Sequence, residues 1–150
     1  MPTSTPNITV RPATINDVPA VLDNLLDNSL QDLLRYKENP VLSLAEDISS
    51  SEAFYFSTSD GEPVAIVGMD SGCLWMHMCK AMEKYPVACI KYLKRWFRKV
   101  KKARLLWNHT GIEYTQAIKM AQFFGFKILR VFPSTLTNTY LVEMANVWTY

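Results

Sequence analysis

Apolar positions along this chain change their period several times, and each change marks an element. "NITVRPA" alternates apolar and polar residues until Pro12 and reads as an opening strand. Thr14, with Asp17 three residues on, stands where a helix N-cap belongs, and Val18, Val21, Leu22, Leu25 and Leu26 supply an apolar stripe behind it. Two further helical stretches follow: "SLQDLLRYKENP", closed by Pro40, and the short "SLAEDISSS". "AFYFSTSDGEPVAIVGMDSGCLWMHMC" then reads as two or three strands, with the first turn at "SDGEP". In the last of them Leu74, Met76 and Met78 share one face, while Trp75, His77 and Cys79 share the other.

A longer helix is predicted from about Val87 to Lys102, burying Cys89, Ile90, Leu93, Trp96, Phe97 and Val100. "LLWNHTGI" is a short strand. In "AIKMAQFFGFKIL" helical spacing puts Ile118, Ala121 and Phe124 on one side, with Ala117, Met120 and Phe123 beside them. Gly125 stops that helix, which starts near Tyr114, and an apolar run resumes as a strand. "FKILRVFP", the turn "STLTNT" and "YLVEMANVW" close the chain as an antiparallel hairpin. The order β-α-α-β-β-β-α-β-α-β-β is that of an α+β domain, with residues 1–7 as a loose tail and 8–150 as one unit.

Composition agrees with that outline. A chain of 150 residues, 49% hydrophobic and 20% charged, is large enough for a core and is neither disordered nor fibrous. No apolar run reaches the roughly 18 residues of a membrane span, and "MPTSTPNITV" lacks the pattern of a signal peptide. Cys73, Cys79 and Cys89 have no metal-ligand spacing and read as small hydrophobes in a reducing cytoplasm, so no metal is expected. The net charge is only +2, yet "KYLKRWFRKVKKAR", Lys91 to Arg104, holds eight of the sixteen Lys and Arg residues. Solvent, an anionic ligand or an acidic protein patch could face this basic side. Nucleic acid is not expected, because no RNA-binding, zinc-finger or helix-turn-helix signal accompanies it.

With two histidines and no glycine-flanked nucleophile, the chain shows no Ser-His-Asp or Cys-His arrangement. Asp60 and Glu62 flank a turn as solvated groups, and Trp75, Trp96 and Trp107 sit in apolar patterns as core. Trp148 and Tyr150 lie past the last strand, where an aromatic tail suits a protein partner or a second copy of the chain.

"ITVRPATINDVPAVL" and "AIKMAQFFGFKIL", in this order and at this distance, resemble the two ends of the GCN5-related N-acetyltransferase (GNAT) fold. Within that superfamily "LLWNHTGIEYTQAIKMAQFFGF", "CLWMHMC" and the basic helix look like the acetyltransferase-like internal virion or virion-assembly proteins of short-tailed bacteriophages. The resemblance implies a mixed, mostly antiparallel sheet of 6–7 strands flanked by about four helices. It also implies acetyl-CoA in a notch between the fourth and fifth strands, its pyrophosphate on a glycine-rich loop at a helix N-terminus.

This chain departs from that pattern at two places. At the loop it has "CKAMEKYPVAC", with no glycine between Gly72 and Gly111 and with Glu83 where phosphates would sit. Candidate cofactor-binding residues there are Met78, Cys79, Lys80, Lys84, Val87 and Ala88, the two lysines supplying charge and Pro86 opening the helix. The tyrosine that the resemblance implies as general acid falls on Ala121, which carries no proton. His77, Glu83, His109 and Tyr114 are the candidate replacements. Two functions stand open. One is a GNAT-shaped protein acting by protein binding, in virion assembly or on a host target; the other is an acetyl-CoA-dependent N-acetyltransferase with an unidentified amine acceptor.

Overall fold

Arg11 and Asp17 set the start of the fold. In the computed structural model, which describes residues 6–36, 39–100, 106–135 and 139–146, Arg11 makes two hydrogen bonds, 2.9 and 2.6 Å, to the Asp17 carboxylate. The same carboxylate accepts from the Thr14 backbone N–H, closing a capping box around the 3-10 turn Ile15–Asp17. The strand β1 (Ile8–Pro12) is thereby tied to helix α1 (Val18–Asp23). The first five residues, the end of the basic run with Lys101, Lys102 and Arg104, and the aromatic pair Trp148 and Tyr150 lie outside the described residues.

After α1 come α2 (Asp27–Tyr36) and α3 (Pro40–Ser50), then β2 (Glu52–Thr58), β3 (Pro63–Asp70) and β4 (Cys73–Met78). Helices α4 (Ala81–Lys84) and α5 (Pro86–Val100) lead to β5 (Leu106–Gly111), α6 (Thr115–Phe123), β6 (Phe126–Pro133) and β7 (Tyr140–Asn146). The seven strands form one sheet in the order β1-β2-β3-β4-β5-β7-β6, antiparallel throughout except where β5 runs parallel to β4.

The described residues hold six helices, more than the four or so the resemblance implies; α1 ends earlier than its apolar stripe predicts, and α4 is the one the sequence pattern did not separate. Leu25 and Leu26 leave the first helical stretch to bridge the end of β4, Leu26 donating its N–H to the Met78 carbonyl at 2.9 Å. Tyr85, placed before Pro86, leaves the helical region at φ −130° and ψ 59°, which ends α4 after a single turn and lets α5 start afresh.

Strand alternation sorts the core into two layers. Phe56, Val67, Leu74 and Met144 face α5 and α6, where Cys89, Leu93 and Phe97 meet them. Tyr55, Ile66 and Cys79 face the other way, under Val18, Val21, Leu44 and Ile48 of α1 and α3. Gly125 stops α6 at φ +98°, a conformation that costs a side chain strain, and Asn146 donates to the Phe124 carbonyl left over at the helix end. Phe123, grouped with the apolar face by its spacing, is instead half-exposed beneath Lys94. No described helix is long and apolar enough to cross a membrane.

Candidate functional site

Among the described residues β4 and β5 pair at one step only, Cys73 opposite Trp107, with the Trp107 N–H on the Gly72 carbonyl at 2.8 Å. Beyond that step no β4–β5 pair follows among the described residues, although each strand stays paired on its other side: β4 with β3 and β5 with β7. A cleft of about 410 Å³ fills the gap, within the size range of small-molecule sites. It passes through the plane of the sheet. Tyr114, Ala117 and Ala121 line it from α6; Ser29, Ser43 and Asp47 line it from α2 and α3.

Two buried polar atoms in this cleft have no hydrogen-bond partner among the described residues. They are His77 Nδ1 on β4 and Asn108 Oδ1 on β5. Such atoms are costly unless something pairs with them. His77 is 4% exposed, and burial pushes its pKa down to about 4, so at neutral pH its ring is uncharged. His109, also in the cleft wall, is held differently: its Nε2 lies 3.0 Å from the Glu143 carboxylate. Arg130 bonds the same carboxylate twice, at 3.3 Å each. The hydrogen bonds from Arg130 and His109 keep Glu143 below the usual carboxylate range, so it stays ionised and fixes the imidazole.

The candidates read from sequence therefore separate. His77, His109, Tyr114 and Met78 line the cleft, and so does Ala121; Glu83 is exposed on α4, away from it. Cys79 is fully buried, its thiol pushed up to about 12 by burial and set 3.8 Å from the Val21 carbonyl. Lys84, nominated for phosphate, pairs with Glu62 at 3.0 Å. Glu62 is correspondingly not merely solvated.

The loop itself is used up, the Ala81 N–H excepted. The Met78 N–H goes to Ser29 Oγ, Cys79 to Val64, Lys80 to Asn24, and Met82, Glu83, Lys84 and Tyr85 all donate to carbonyls of the same loop. Val87 and Ala88 sit in the first turn of α5, where N–H groups lack intrahelical acceptors.

Sequence reading missed several wall residues. Trp75 and Trp107, expected simply as core, line the cleft, Trp75 held by a 2.9 Å bond to Ser51 Oγ. Asn108 left a signal: with Leu106 and Thr110 it falls on the core-facing side of β5, where a polar residue is out of place. Glu143 left none, since its role depends on the β5–β7 register that sets it opposite His109.

No family model matches the chain, and no curated protein matches it significantly. Solved structures do. Spermidine N-acetyltransferase from Vibrio cholerae, in complex with CoA and spermine, is 12% identical with a TM-score of 0.69 over 93% of this chain and 94% of that one. The ribosomal-protein-S18-alanine N-acetyltransferase of Escherichia coli is 14% identical, with a TM-score of 0.64 over 92% of each chain. Aminoglycoside N(6')acetyltransferase from Legionella pneumophila is 10% identical, with a TM-score of 0.66 over 95% of this chain and 93% of that one. At these identities the likeness speaks for architecture, and the seven-stranded sheet with its open β4–β5 seam is the GNAT fold.

Proposed function

We propose that this chain transfers an acyl group from a pantetheine thioester to an amine within the β4–β5 cleft. The observation that carries the reading is the cleft itself, open through the sheet and lined by buried polar atoms that want partners. Asn108 Oδ1 would accept an amide N–H of the arm, and the small Ala117 and Ala121 leave room for it along α6. An acyl thioester supplies the reactive carbon: a C–N bond forms there, the C–S bond breaks, and the proton shed by the amine ends on the sulfur. His109, oriented by Glu143, accepts the amine proton; Tyr114, two turns before Ala121 on the same helical face, returns one to the sulfur. Neutral His77 offers a hydrogen bond, not a proton sink. Asp47, Trp75 and Trp107 line the cleft and suit a cationic amine.

The structural neighbours, N-acetyltransferases by name, support this chemistry. A second reading, a GNAT-shaped protein acting by binding a virion or host protein, is favoured by Ala121, where the family resemblance implies a tyrosine. Mass spectrometry of a mixed amine pool incubated with acetyl-pantetheine and the protein separates the two. Acetylated amines are expected, formed about 10²–10⁴-fold more slowly by His109→Ala. No product, together with no heat of acetyl-pantetheine binding up to millimolar, would remove the transferase reading and leave the binding role.

A further inference from the structure

We propose that the acyl donor for this cleft is a thioester on the phosphopantetheine arm of a small acidic carrier protein, rather than free acyl-CoA, with the carrier docking on the basic face of α5. This rests on the acyl-transfer reading above and names its donor. Acyl-CoA brings a diphosphate and a further ribose phosphate, and a diphosphate is held by several convergent backbone N–H groups. From Met78 to Tyr85 every N–H group but that of buried Ala81 is bonded within the chain. No glycine opens the backbone there, Glu83 is exposed beside it, and Lys84 is paired with Glu62. The diphosphate end of CoA does not fit this loop, although the arm fits the cleft.

A carrier-borne arm ends in a single phosphodiester. Its demand is smaller, and Val87 and Ala88 in the first turn of α5 can meet it, because Pro86 has no N–H and Cys89 already donates to Tyr85. The position is also right. β4 forms one wall of the cleft as far as Met78 and leads through α4 into α5, so the start of α5 follows that end of the cleft closely in the chain.

From there the surface changes character. Val87, Lys91, Lys94 and Arg98 recur at i, i+4, i+7 and i+11, one stripe along the helix, with Arg95 and Lys99 beside it. Val87 is 65% exposed at its head. Lys94 Nζ stands 4.0 Å over the ring of half-exposed Phe123. Among the described residues no carboxylate pairs with Lys91, Arg95, Arg98 or Lys99. An uncompensated basic stripe with apolar points at its edge is complementary to an acidic helix with an apolar contact. A convex helix whose neighbouring aromatic ring, Phe123, is capped by Lys94 makes a poor groove for single-stranded RNA.

The test is a calorimetric comparison of four probes on the intact protein: acetyl-pantetheine, acetyl-CoA, an acetyl-loaded acyl carrier protein and the same carrier without its arm. The loaded carrier is expected to bind at least about tenfold more tightly than acetyl-CoA, with an affinity that falls as salt rises. The double variant Lys91→Glu, Arg98→Glu, whose side chains are solvent-facing, is expected to erase that advantage while leaving acetyl-pantetheine binding and the melting temperature unchanged. Acetyl-CoA binding as tightly as the loaded carrier overturns the proposal. So does an armless carrier that binds equally well, charge reversal without effect, or single-stranded RNA that binds more tightly than the carrier. Loss of the proposal alone shows as acetyl-pantetheine binding with no gain from the carrier. Failure of acetyl-pantetheine itself removes the acyl-transfer reading beneath it.

Discussion

β3 and β6 are both eight-residue strands of one sheet, and they live in opposite surroundings. Every residue from Pro63 to Met69 on β3 is buried, because α1 and α3 cover one face and α5 the other. On β6 the five residues Lys127–Val131 are all exposed, at the end of the strand order. The β1–β4 half is a closed sandwich in which stability is concentrated. The β5–β7 half is covered by helices on one side and leaves Trp107, His109 and Glu143 toward the other. The proposed chemistry falls where burial is incomplete.

The contrast is tested most directly by removing one aliphatic side chain from each strand. Ile66→Ala on β3 is expected to cost about 2–5 kcal/mol in urea unfolding, since it opens a cavity between two packed layers. Val131→Ala on β6 is expected to stay within about 0.5 kcal/mol. Comparable losses at the two positions would mean that β6 is covered in solution.

A Cβ built at Gly68 would lie 2.1 Å from Trp75 Cε2, so Gly68→Ala has to displace the indole. Such overpacking costs about 1–3 kcal/mol, and because Trp75 walls the cleft, weaker acetyl-pantetheine binding should accompany it. Asp17→Asn should cost about 1 kcal/mol by weakening the capping box and the Arg11 pair. In the wild type, burial raises the Asp17 pKa, but the Arg11 and Thr14 hydrogen bonds and the Arg11 charge outweigh it and leave the carboxyl below its ordinary value. Its contribution is therefore present above that value and lost as pH falls through the lower folded one, a dependence that the Asp17→Asn variant should lack.

The smallest stability effects, with the largest functional ones, are expected in the cleft. Asn108→Leu replaces an unpartnered buried polar group and should leave unfolding unchanged or slightly harder, while acetyl-pantetheine binding falls. His77 has its pKa lowered from 6.5 to about 4, so the unfolded chain binds the proton more readily. Stability is then full above pH 6.5 and declines towards pH 4, by up to ~1.4 kcal/mol per pH unit. His77→Phe should flatten that slope; an unchanged acid limb would show that His77 does not cause it.

The frame was legible because local chemistry writes it. Thr14 and Asp17 announce a cap, Gly125 a stop, and alternation in "CLWMHMC" sorts Leu74 and Trp75 to opposite faces as the structure has them. The breaks at Leu25–Leu26 and Tyr85 were not, since one answers to the distant end of β4 and the other to a proline after a single turn. At the site, histidines are conspicuous by type, but their environments are set by register and packing. No spacing says that His77 would be sealed in and His109 tethered to a residue 34 positions away. The N–H groups of the loop after β4 were likewise invisible as consumed, because Ser29 and Asn24 reach them from a separate helix pair.

That single pairing of Cys73 with Trp107 also makes the molecule mechanically anisotropic. Strands on either side of it are zipped to their outer neighbours along their length, whereas among the described residues one ladder step joins the two blocks across the sheet. Under load applied between β1 and β6, the backbone would part first along this seam, leaving two intact blocks joined through α5. The opening proposed to admit a ligand is also the fold's tear line.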